Sequence, residues 1–105
     1  MLAERVGDEE GLKIVLRNLG DVCDEAELGL KALGFFERAL PLVEKSGDRE
    51  ALGSLLDDLG RIQYALGNDE LAIAATKRAL EVYESDRSAA AVKRLKARLD
   101  DLLRR

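Results

Sequence analysis

Apolar residues recur along the chain at intervals of three and four, the spacing that places side chains on one stripe of an α-helix. Leu12, Val15, Leu16, Leu19, Val22 and Cys23 form a first such stripe, and Ala32, Leu33, Phe36, Ala39, Leu40 and Val43 a second. A third uses Leu52, Leu55, Leu56, Leu59 and Ile62, and a fourth Ala72, Ile73, Thr76, Ala79, Leu80 and Tyr83. Val92, Leu95, Leu99 and Leu102 make a fifth. The pattern predicts helices over 8–25, 27–45, 48–66, 69–84 and 87–103. Gly47 and Gly67 can adopt the left-handed conformation that stops a helix, with Asp48 and Asn68 or Asp69 placed to cap the next. Two joints are weaker. Asp24, Glu25 and Glu27 offer no glycine stop, and Pro41 lacks a backbone donor and crowds the carbonyl of Glu37, which predicts a kinked or loosened helix there.

The stripes are also a repeat. At an offset of 40, Gly7-Asp8 falls on Gly47-Asp48, Glu10 on Glu50, Leu12 on Leu52, Leu16 on Leu56, Leu19-Gly20 on Leu59-Gly60, Ala32 on Ala72, and Arg38-Ala39-Leu40 on Arg78-Ala79-Leu80. A fixed period of this length signals stacked supersecondary units. Residues 1–6 align with the tail of a second helix and read as the remnant of a preceding unit. Units then occupy 7–46 and 47–85. The last helix, within 86–105, keeps the apolar stripe but carries Lys96 and Asp100 where the second unit has Leu56 and Gly60, so it reads as a polar-backed cap that ends the array.

Leu16, Leu19-Gly20, Ala32, Phe36 and Ala39, repeated as Leu56, Leu59-Gly60, Gly67, Ala72 and Ala79, resemble the tetratricopeptide repeat. The longer spacing, with Ser46-Gly47-Asp48-Arg49-Glu50 at the junction, is similar to the extended repeats of kinesin light chains and of bacterial regulators that carry tetratricopeptide repeats. Gly29 and Asp69 depart from the family's usual aromatic, and Thr76 from the bulky residue seen at Phe36, which predicts looser packing in the second unit. The resemblance implies an all-α solenoid of two helix-turn-helix repeats plus a C-terminal capping helix, in one domain spanning 1–105.

It also implies a binding face. In such repeats the first helices line the concave side, which places Ile14, Arg17, Asn18, Asp21, Asp24 and Glu25, then Ser54, Asp57, Asp58, Arg61, Tyr64 and Ala65, as candidate partner contacts. The plain alternative is a solvated helix face. Tyr64 stands out because an exposed aromatic supplies contact area with a polar tip. Five acids among these residues oppose only Arg17 and Arg61, so the groove favours a protein or peptide partner with basic residues and disfavours capture of a C-terminal carboxylate. The function expected is protein–protein interaction or scaffolding. The alternative is a self-assembling repeat segment without a separate ligand, excised or engineered.

Composition narrows the remaining classes. The 105 residues contain no His, no Trp and one Cys, which removes Ser-His-Asp and Cys-His nucleophiles and Cys/His zinc cages. The acids lack the glycine turn and alternating ligands of a calcium loop. No enzyme activity, metal or cofactor is expected. Cys23 on an apolar stripe reads as core packing in preference to redox chemistry. Apolar runs are too short to cross a bilayer, no secretion signal opens the chain, and a single Cys fits a reducing compartment, so a cytoplasmic location is expected. Residues 86–105 hold seven Lys or Arg and three Asp. The basic residues Arg87, Arg94, Arg98 and Arg105 read as neutralising the acidic body in preference to binding nucleic acid, because no aromatic follows Tyr83 to stack on bases. Two repeats fall short of the three or so that solenoids need, which leaves apolar surface at the N-terminal end, around Leu2, Val6 and the first helix, and predicts a homodimer there.

Overall fold

A computed structural model describes residues 2–105, with side chains described from Asp8 onward. It contains five helices: α1 (Leu2–Glu25), α2 (Gly29–Ser46), α3 (Arg49–Ala65), α4 (Asp69–Ser85) and α5 (Ala89–Arg104), with no strand among the described residues. Every predicted helix is present. The helix start expected near residue 8 moves to Leu2: α1 runs through Gly7, so residues 2–6 continue α1 and do not form the tail of a separate helix. An interior glycine costs a helix only about 1 kcal/mol. α2 likewise continues past Pro41, which is exposed, to Ser46.

Residues 1–48 and 49–105 form two compact units. In the first, α1 and α2 are antiparallel neighbours, as the ion pair between Lys45 Nζ near the end of α2 and Glu9 near the start of α1 at 3.2 Å requires. The contact depends on Gly20. A Cβ there would lie 2.4 Å from the Phe36 ring, so the glycine lets Phe36 rest on bare backbone. Around this pair Leu16, Ala32, Leu33, Ala39 and Val43 are buried. α1 therefore turns the edge bearing Lys13, Leu16 and Gly20 toward α2. The rest of its predicted stripe does not become core: Leu12, Val15, Leu19 and Val22 are exposed and Cys23 is half-buried.

The glycine-free joint after α1 closes by putting Glu27 itself into the left-handed region, at φ 61°. The amide of Leu28 donates to Cys23 O at 2.8 Å and that of Glu27 to Asp24 O at 3.0 Å, the paired bonds of a Schellman stop. Gly67 (φ 80°) ends α3 through Asn68→Gln63 and Gly67→Tyr64, and Arg87 (φ 59°) ends α4 through Ser88→Tyr83 and Arg87→Glu84. Asn68 does not cap with its side chain, which instead donates to Gln63 Oε1 at 2.7 Å.

In the second unit α3 buries Gly53, Leu55, Leu56, Leu59, Gly60, Ile62 and Gln63, and α4 buries Ala72, Thr76, Ala79, Leu80 and Val82. The loose position expected at Thr76 is filled from α5. A Cβ on Gly60 would meet Thr76 Oγ1 at 2.8 Å and Arg98 Nη2 at 3.0 Å. Residues 60 and 76 correspond to 20 and 36, so where the first unit seats a phenyl ring, the second seats a threonine and a guanidinium. α5 buries Leu95 and Leu102 and leaves Lys96 and Asp100 exposed.

Candidate functional site

On α1, Ile14, Asn18, Asp21 and Glu25 are exposed, and Arg17 and Asp24 half-buried. Asp21 and Glu25 are four apart and Ile14 and Asn18 are four apart, so the four share one solvent-facing strip. The strip carries two carboxylates beside an isoleucine.

The candidate residues of α3 are in different surroundings. Asp57 is largely enclosed, with Arg98 Nη2 at 2.9 Å and Arg94 Nη1 at 2.7 Å from its two carboxylate oxygens. Arg98 also donates to Asp57 O at 3.3 Å and, through Nε, to Thr76 Oγ1 at 3.2 Å. Asp58 and Arg61 pair across one helical turn at 3.4 Å. Tyr64 is half-buried: its hydroxyl donates to the Asp101 carboxylate, and the Arg105 guanidinium lies 4.3 Å from its ring centroid. Donation to Asp101 is the main reason its phenol is held above the usual value of 10.0. Arg105 in turn bonds Asp69 at 2.7 Å. Tyr64 is thus not the open aromatic contact expected, and Asp57 is not a bare carboxylate. Their locations on α3 are as read, but α5 reaches both.

Ser54 stands apart from these, in a cleft of about 430 Å³ shared with Glu50, Tyr83, Asp86 and Ser88. Arg49 Nε bonds Asp86 at 3.2 Å. The Tyr83 ring packs 3.2 Å from a Cβ position on Gly53, and its phenol is raised first by burial and then by the charge of Asp57.

Arg94, Arg98 and Arg105 do pair with acids of the body, Asp57 and Asp69, as their placement in a basic tail suggested. Sequence reasoning missed Asp101 as the acceptor for Tyr64. The signal for Arg98 lay in Thr76: a residue too small for its repeat position leaves volume that a long side chain from the next helix can fill. Among the described residues no cluster of three metal-ligating side chains occurs, and no helix is long and apolar enough to cross a membrane.

Antiparallel helix pairs repeated along the chain, with a glycine at each close crossing, define an α-helical repeat protein. The tetratricopeptide repeat family matches residues 12–85, and the chain belongs to it. No curated protein matches the chain. Repeats of this family generally mediate protein–protein interaction and are typically non-catalytic.

Proposed function

We propose that the protein is an interaction module that holds a basic protein or peptide partner in the cytoplasm against the acidic face of α1. The observation that carries this is the solvent-facing strip Ile14, Asn18, Asp21 and Glu25 on α1, where both carboxylates are exposed. On α3, Asp58 and Arg61 are paired with each other. Asp57 and Tyr64 contribute through the network that joins them to α5, so a partner meets them already paired. Nucleic acid and membrane are not part of this reading, because Arg94, Arg98 and Arg105 are committed to acids within their own unit.

Binding of lysine-rich peptides, measured by fluorescence anisotropy against acidic peptides of equal length, tests the reading. Cationic peptides should bind, lose affinity as salt rises, and lose more when Asp21→Asn and Glu25→Gln are combined. Equal binding of acidic peptides would refute it. Self-assembly without a separate ligand is a second reading, supported by the exposed apolar residues of α1. It requires a mass that changes with dilution.

A further inference from the structure

The offset of 80 aligns Leu12, Val15, Leu19 and Val22 of α1 with Val92, Leu95, Leu99 and Leu102 of α5, and the offset of 40 aligns them with Leu52, Leu55, Leu59 and Ile62 of α3. In α3 and α5 all eight counterparts are buried or half-buried. In α1 the four are 43, 51, 40 and 62 % exposed. Their 3-4-3 spacing makes one continuous seam. α1 already meets α2 through another edge, Lys13, Leu16 and Gly20, so the seam is not needed for that contact.

Charge around the seam specifies what fits it. Asp8 lies four residues before Leu12, in line with the seam; Glu25 lies three after Val22; Asp21 follows Asn18 by three on the neighbouring strip. All three are exposed. Lys13 is buried and bonded to Glu10 at 2.9 Å. A second copy offering the same seam would bring acid against acid in either orientation, Asp8 against Asp8 and Glu25 against Glu25 when parallel and Asp8 against Glu25 when antiparallel, a like-charge juxtaposition. The chain also contains an example of a suitable occupant: α5 carries the same apolar register, is flanked by arginines, and seats them on Asp57 and Asp69.

We infer that the seam Leu12, Val15, Leu19 and Val22 is the anchor for an amphipathic helix of a protein partner, with apolar residues at three- and four-residue spacing and Lys or Arg on its flanks. This rests on the interaction-module reading and adds to it the partner's conformation and the apolar part of the contact. Helix-in-groove docking is read through such i, i+3, i+4, i+7 anchors.

The test uses three synthetic peptides on the full chain: a helix-forming peptide with leucines at the seam spacing and lysines flanking, the same peptide with glutamates for lysines, and a scrambled lysine peptide without the stripe. The lysine helix should bind roughly tenfold more tightly than either control. Val15→Asp with Val22→Asp should weaken it at least about tenfold while the circular dichroism spectrum is unchanged. Val22→Ser alone, a milder change at the most exposed position, should still weaken it measurably. If the scrambled peptide binds equally and only Asp21→Asn with Glu25→Gln matters, the seam inference is wrong and the acidic-face reading stands. If no cationic peptide binds, both fail. If the chain dimerises, Val15→Asp with Val22→Asp abolishes the dimer, and the peptide does not compete, a second copy is the occupant and the inference is overturned.

Discussion

Replacing Arg98 with methionine keeps an unbranched apolar stem and removes the charged guanidinium that lies over Gly60. The Arg98 and Asp57 side chains are only 11 and 13 % exposed, and removing one member of a fully buried pair costs about 3–5 kcal/mol because the other is left uncompensated. Here Arg94 stays 2.7 Å from Asp57, so the expected loss is smaller, about 2 kcal/mol. For a chain of this size that lowers the midpoint of thermal unfolding by roughly 8–16 °C. Circular dichroism melting gives the midpoint, and hydrogen exchange should show the amides of α5 losing protection before those of α1. Arg94→Met is the internal control: its side chain is 55 % exposed, so it should cost less than about 1 kcal/mol and lose that effect at high salt. Thr76→Phe alone overpacks the site at about 1–3 kcal/mol. Combined with Arg98→Met it lets a ring settle on Gly60 as Phe36 does on Gly20, and the double variant should be more stable than the sum of the single losses predicts. A change below about 0.5 kcal/mol for Arg98→Met, or strict additivity with Thr76→Phe, would show that the guanidinium is not part of the core.

Gly20→Ala places a methyl 2.4 Å from the Phe36 ring and should destabilise by about 1–3 kcal/mol in urea titration, while Gly11→Ala, with nothing within 4 Å, should stabilise by about 0.5–1 kcal/mol. Glu27→Gly and Arg87→Gly, at φ 61° and 59°, should each leave the melting midpoint unchanged or raise it, relief of about 1 kcal/mol of left-handed strain opposing the added freedom of the unfolded chain; a clear loss at both would show that these side chains do more than turn the backbone. The Tyr64 phenol is raised above 10.0 by its donation to Asp101, so folding favours its protonated form: that contribution is intact below the unfolded value and disappears as pH climbs through the folded one. Ultraviolet titration of the wild type and of Asp101→Asn should show Tyr64 ionising at lower pH in the variant.

The helices were legible because each prediction needed only neighbours three or four residues away. Longer-range choices were not. The stripe of α1 mixes two edges, and spacing alone cannot say that Leu16 turns toward α2 while Leu19 faces outward. Glu27 and Arg87 carry no sign of positive φ, since that conformation is imposed by the carbonyls the turn must satisfy. Asp57 and Tyr64 lie on α3, but their partners lie 41 and 37 residues away, beyond any local pattern. An acidic residue on an exposed-looking helix position reads the same whether solvent or an arginine from a later helix meets it.

The two fillings of the glycine crossings also set an order of assembly during synthesis. Phe36 is sixteen residues beyond Gly20, and both lie within the first 48 residues, so the first unit has everything its core requires once that stretch has left the ribosome. The second unit cannot complete the space over Gly60 until Arg98 of α5 emerges. Domains generally fold N-terminal first as they are made, and here a nascent chain halted before residue 98 would carry one finished helix pair followed by a pair with an open seat, held up by the delivery of a single side chain.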